Sequence, residues 1–206
     1  MDLVAYVPVA PARGETVTGH AFRTGPGGKG TNQAIAAALA GGRVTMIGAV
    51  GDDAFGPRLR AALTERGVDT GGLRTVPGPS GTAHIVVDDE GGNSIVVVPG
   101  ANAAVTDLAP GDAARIAAAG TLLLQLELPA AGVLAGARAA REHGVHTVLT
   151  PAPVTPLPDA LLDCVDLLVP NEHEAAALTG HRDPHRAGPA LLERVPEVVI
   201  TLGASG

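Results

Sequence analysis

The chain has no tryptophan, one tyrosine and two phenylalanines in 206 residues. Single-stranded nucleic acid is gripped by stacking on aromatic faces, and duplex binding draws on clustered Lys and Arg. Aromatics are 1% here, net charge is −7 and no basic run occurs, so no nucleic-acid partner is expected. No apolar stretch approaches the ~18 residues of a membrane helix. The opening Met1-Asp2-Leu3 lacks the basic segment of a secretory signal. No membrane partner is expected, and the cytoplasm is the default location. The single cysteine, Cys164, has no partner for an internal disulfide and should be a small buried apolar side chain.

Lysine is scarce too: one, Lys29, against thirteen arginines. It lies in Gly25-Pro26-Gly27-Gly28-Lys29-Gly30-Thr31-Asn32-Gln33, a polar, glycine-rich corner where backbone can approach a ligand closely. The seven histidines (20, 84, 143, 146, 173, 181 and 185) show no metal-ligand spacing, and Asp88-Asp89-Glu90 reads as a solvated loop tip.

What is abundant is aliphatic: 46% of residues are hydrophobic, so the core is one of Ala, Val, Leu and Ile. The polarity pattern predicts strands at 16–23, 44–50, 82–87, 94–98, 121–126, 145–149, 167–169 and 198–202. Helices are predicted at 31–40 (Ile35 and Leu39 on one face), 55–66, 112–118, 130–143 and 172–178, the last capped by Gly180. This alternation implies an α/β fold with an open, mostly parallel sheet and helices on both faces. The strands at 16–23 and 82–98 break the alternation and read as a small antiparallel appendage. Such an appendage could cover a site at the carboxyl edge of the main sheet. The chain opens in polar, loop-like sequence with no buried strand, and both ends read as cut.

Gly25-Pro26-Gly27-Gly28-Lys29-Gly30 satisfies the dinucleotide pattern G-x-G-x-x-G, with Asp52 near the distance of a ribose-binding acid. The preceding residues are too polar for the buried strand that pattern needs. A Walker A loop fails, with Arg23 in place of its first glycine and Gly30 after the lysine. A plain glycine-rich turn into a helix also fits. The whole run suits a polar sugar pocket: mobile cation at Lys29, and an amide at Asn32 able to donate to and accept from a hydroxyl.

Gly27-Gly28-Lys29-Gly30-Thr31-Asn32-Gln33-Ala34 resembles the first signature of the ribokinase (PfkB-type) carbohydrate kinases. The likeness continues in order through Gly14-Glu15-Thr16-Val17, which precedes it, then Gly51-Asp52-Asp53-x-x-Gly56, Gly100-Ala101-Asn102, Gln125-Leu126-Glu127, Pro170-Asn171-Glu172-x-Glu174 and Thr201-Leu202-Gly203. It covers essentially the whole chain. It implies a ribokinase-like domain over 1–206, partial, with lid segments within 3–26 and 80–100. It also implies ATP-dependent phosphorylation of a small sugar, D-ribose at its 5-hydroxyl, with Mg²⁺ and an activating monovalent cation such as K⁺. A homodimer through the lid belongs to the same pattern.

Residue by residue, Asp2 resembles the family's N-terminal Asp that accepts from sugar hydroxyls. Gly28, Lys29 and Asn32 match residues of the same sugar site, and Glu127 matches the acid at the sugar's far end. Asn171 matches the phosphate-side Asn, Glu174 the acid near Mg²⁺, and Thr201 and Gly203 the start of the nucleotide loop. Read from residues alone, Glu127 is also a helix or turn cap, and Asn171 with Glu174 a variant capping box.

The family's catalytic base, the Asp of Gly-Ala-Gly-Asp, has no counterpart, so no catalytic residue is assigned here and the base is expected beyond Gly206. Gly48-Ala49-Val50-Gly51-Asp52 resembles that motif only superficially. Of the family's opening strand, which ends in Gly-x-x-Asn-x-Asp, only Met1-Asp2 remains. The chain alone is expected to be inactive. A non-catalytic sugar-binding remnant and a dinucleotide-binding enzyme are the alternatives.

Overall fold

The computed structural model describes residues 1–205 and divides into two compact units, Met1–Ala104 and Val105 onward. In the first unit, β1 (Asp2–Val7), β2 (Ala21–Gly25), β5 (Thr82–Asp88) and β6 (Asn93–Val98) form a four-stranded sheet in the order β2-β1-β5-β6. Two of its pairings are antiparallel, as expected for the appendage, but the central pair β1–β5 is parallel. β1 is a correction: residues 2–7 are a strand inside this sheet, not loop. The run Leu3-Val4-Ala5-Tyr6-Val7 carries the β-favouring side chains, but its length and the prolines after it obscured the signal. β2 begins at Ala21, several residues later than predicted.

Beside that sheet, β3 (Thr45–Gly51) and β4 (Asp69–Val76) pair in parallel, linked by α2 (Phe55–Thr64). β4 was not foreseen. Gly71-Gly72 weakens strand propensity, but the ladder to β3 supplies the backbone partners. α1 (Lys29–Leu39) and α2 close over a core of Met1, Ala34, Val50, Leu59, Leu63, Val68 and Leu73. Leu59 and Leu63 bury one stripe of α2, as a four-residue spacing dictates. On α1 the prediction is corrected: Leu39 is 66% exposed, and the inward face carries Thr31, Ala34, Ile35 and Ala38 instead.

In the second unit, β7 (Thr121–Leu124), β8 (His146–Leu149), β9 (Leu167–Leu168) and β10 (Glu197–Val198) form a wholly parallel sheet in the order β10-β9-β8-β7. Helices α3 (Asp112–Ala117), α4 (Ala130–Glu142), α5 (Asp159–Leu162), α6 (Glu172–Thr179) and α7 (Pro184–Leu192) intervene. Leu149, Leu168, Val133, Ala137, Leu161, Ala175 and Leu191 form its core, and Cys164 is buried within it. α4 turns glycine and alanine inward, and a Cβ on Gly132 would strike the carbonyl of Val105. With no large aromatics to fill space, small residues let this helix approach closely. α5 and α7 were missed. α7 carries Pro184 and Pro189, but Pro184 stands at the start of the helix, where its missing N–H costs nothing, and Asp183 caps the helix through the His185 amide at 2.9 Å. β7 ends two residues earlier than predicted, is an edge strand, and is only half-buried.

No helix among the described residues is long and apolar enough to cross a membrane.

Candidate active site

In the first unit, Asp2 stands at the head of β1, between Gly25 of β2 and Ala83 of β5. The chain leaves β2 at Gly25, passes Pro26 and brings Gly27 against Asp2. A Cβ built on Gly27 would overlap the Asp2 carboxylate. Gly28 follows at φ 97°, ψ 136°, a conformation open in practice only to glycine, and it turns the chain into α1. Lys29 is the first residue of that helix and is exposed. Asn32 sits one turn on, also exposed, its amide bonded to the Gly28 carbonyl at 3.0 Å. Asp2, Gly28, Lys29 and Asn32 are thereby gathered at one corner: a carboxylate acceptor, a close-approaching backbone, a cation and an amide. That set can both accept from and donate to vicinal hydroxyls.

Gly27 lies within the glycine motif read as a close backbone approach to a ligand, but the need for a bare Cα there comes from the sheet register that brings Asp2 to it.

In the second unit all four strands are parallel, so their carboxyl ends lie along one edge. Glu127 follows β7 there, its amide near the Gln125 side chain at 3.4 Å. Asn171 follows β9, and a parallel bridge joins it to Thr201, just past β10. The Glu172 amide donates to the Thr201 carbonyl at 3.2 Å, and the Thr201 amide to Pro170 at 3.0 Å. Gly203 opens a short 3₁₀ turn, Gly203–Ser205. The structure therefore brings Asn171, Glu174, Thr201 and Gly203 to neighbouring loops of one sheet edge.

Asn171 and Glu174 form a complete capping box on α6. The Asn171 Oδ1 accepts from the Glu174 amide at 2.8 Å, and Glu174 Oε2 accepts from the Asn171 amide at 2.8 Å. Both side chains thus have a structural role in place. No group of three or more His, Cys, Asp or Glu side chains able to hold a metal occurs among the described residues. That donor set does not make an all-protein cage. It fits Mg²⁺ only in the manner of phosphate-transferring sites, where one carboxylate and retained waters complement the substrate's own phosphates.

One further carboxylate, outside both groups, has a perturbed environment. Asp53 is held below the usual carboxylate range, chiefly because the Ser80 hydroxyl donates to it at 2.7 Å, with burial opposing and amide donors adding to the lowering.

A family model for the pfkB family carbohydrate kinases matches residues 1–206. The chain belongs to that family. Ribokinase of Haemophilus influenzae is 39% identical over 213 residues, spanning all of this chain and 70% of the relative. Ribokinase of Bacillus subtilis is 44% identical over 180 residues, spanning 86% of this chain and 61% of the relative. Among solved structures, Arabidopsis thaliana ribokinase complexed with ribose and ATP is similar at a TM-score of 0.91 and 32% identity, covering 100% of this chain and 70% of its own.

For a pfkB-family chain the dinucleotide alternative loses its context. The glycine run follows β2, an exposed strand paired antiparallel, where that fingerprint needs a buried parallel one. Asp52, its supposed ribose acid, accepts from the Gly78 amide at 2.8 Å.

Proposed function

We propose that this chain serves an ATP-dependent sugar kinase of the ribokinase type, transferring the γ-phosphoryl group to the 5-hydroxyl of D-ribose. The observation that carries this reading is the corner where the Asp2 carboxylate takes the space over Gly27, directly before Gly28, Lys29 and Asn32. Asp2 accepts from ring hydroxyls, Lys29 and Asn32 donate, and Gly28 lets the sugar approach the backbone. Glu127, at the carboxyl edge of the second unit's sheet, is the remaining sugar-ligand candidate.

On the nucleotide side, Asn171, Thr201 and Gly203 offer an amide, a hydroxyl and loop backbone at one sheet edge. Glu174 would hold Mg²⁺ through a retained water, and the bound ion would neutralise phosphate charge. Phosphoryl transfer rests on positioning and on stabilising developing charge, so the base and its anion-binding turn carry much of the rate. The 206 residues contain no Gly-Ala-Gly-Asp segment. The polypeptide of these residues should bind ribose without turning it over. Calorimetry with ribose and a coupled ADP-release assay with Mg·ATP test both halves: absence of ribose binding overturns the sugar reading, and ribose-dependent ADP release overturns the inactivity.

The β2-β1-β5-β6 sheet is the lid in this reading. Its edge strand β6 exposes Ile95, Val96, Val97 and Val98, and β2 exposes Phe22. A homodimer through this sheet would cover them, and a monomer in sedimentation at tens of micromolar would overturn it. A cytoplasmic setting accords with the lone buried cysteine.

A further inference from the structure

Gly51-Asp52-Asp53-x-x-Gly56 supplies none of the sugar-corner side chains, yet its Asp53 carboxylate accepts four hydrogen bonds. Asp53 Oδ1 accepts from the Ser80 hydroxyl at 2.7 Å, the Phe55 amide at 3.1 Å and the Gly56 amide at 3.0 Å. Its Oδ2 accepts from the Ser80 amide at 3.0 Å. The Ser80 hydroxyl in turn accepts from the Gly51 amide at 3.0 Å, and Ser80 is only 2% exposed. Asp52 grips the same loop: its carboxylate accepts from the Gly78 amide at 2.8 Å, and its own amide donates to the Gly78 carbonyl at 3.1 Å.

Ser80 stands two residues before β5, and the returning end of the β5–β6 hairpin meets the same point. The Ala101 amide donates to the Pro79 carbonyl at 2.9 Å, and a Cβ on Gly100 would lie 2.6 Å from the Pro79 and Ser80 carbonyls. Both strands of the hairpin are thus rooted where β3 passes into α2. Three residues beyond Ser80, Ala83 pairs with Asp2.

We propose that Asp53 and Ser80 are positioning residues for sugar binding: a latch at the root of the β5–β6 hairpin that fixes β5, and through the Ala83–Asp2 pairing fixes the carboxylate over Gly27. This rests on the sugar-site reading above. Cutting the latch should let the hairpin and β1 open together while the β3–α2 core stays closed. A residue that merely stabilised the fold would loosen all of these alike.

The test is native-state hydrogen exchange with ribose calorimetry on the 206-residue chain, wild type against Ser80→Ala and Asp53→Asn. Ser80→Ala removes the hydroxyl but leaves the Asp53 bonds to the start of α2. The Ala83 amide and those of β1 should exchange about tenfold faster, the scale of one lost hydrogen bond to a charged group. Exchange at Leu59 and Leu63 should be unchanged, and ribose binding should weaken severalfold. Uniform acceleration across both regions, or none, overturns the proposal. Should either variant fail to fold, the wild type decides: Ser80, Ala83 and the β1 amides must open as one unit, and separate opening overturns the latch. A wild type that binds no ribose overturns the sugar reading, and the exchange pattern still decides the latch.

Discussion

The Asp2 carboxylate fills the space that a side chain at residue 27 would need. The two residues are 25 apart in sequence and meet because β1 and β2 pair antiparallel in the register Asp2–Gly25. Gly27→Ala should therefore displace the Asp2 side chain or the loop. Ribose affinity should fall at least about tenfold, with a stability loss of about 1–3 kcal/mol typical of overpacking. Calorimetry and urea unfolding check it, and unchanged affinity would separate Asp2 from the sugar.

Lys29 offers the cleaner test, since it is exposed at the start of α1. Lys29→Ala should leave stability within about 0.5 kcal/mol, as for most surface changes. Ribose binding should weaken. A variant with wild-type affinity would make the lone lysine a surface residue.

The two roles of Glu174 can be separated. Glutamine also completes a capping box, so Glu174→Gln should keep the α6 start and the melting temperature while weakening Mg·ATP binding. Asn171→Ala should lose the cap and about 0.5–2 kcal/mol of stability. Equal nucleotide binding by Glu174→Gln and wild type would leave only the structural role.

Asp53 sets an acid dependence with a definite sign. Its folded pKa is lowered, so its contribution is present above the unfolded value near 3.8 and is lost as pH falls through the lower folded value. Stability measured by urea unfolding should decline on acidification below about pH 4. In Asp53→Asn that part of the slope should disappear, and an identical slope in the variant would refute the assignment.

Much of this was legible in the sequence because it is local. The helix after the glycine run, the stripe Leu59–Leu63, the β5–β6 hairpin and the Gly180 stop of α6 follow from turn chemistry and periodicity within a few residues, although α1 starts at Lys29, two residues before the predicted Thr31. The capping box at Asn171 and Glu174 was also visible, since its partners are three residues apart. The ordered glycine motifs fixed the family for the same reason: each is a short contiguous run.

What escaped depends on partners far along the chain. β4 is a strand despite Gly71-Gly72 because β3 supplies its ladder, and β1 is one because β2 and β5 flank it. The composition alone decided that the core would be aliphatic and closely spaced. Only tertiary structure decided that Gly27 must lack a side chain, that Leu39 faces solvent, and that Asp53 reaches Ser80. Those outcomes are set by backbone register and close packing between segments 25 or more residues apart, which no local pattern encodes.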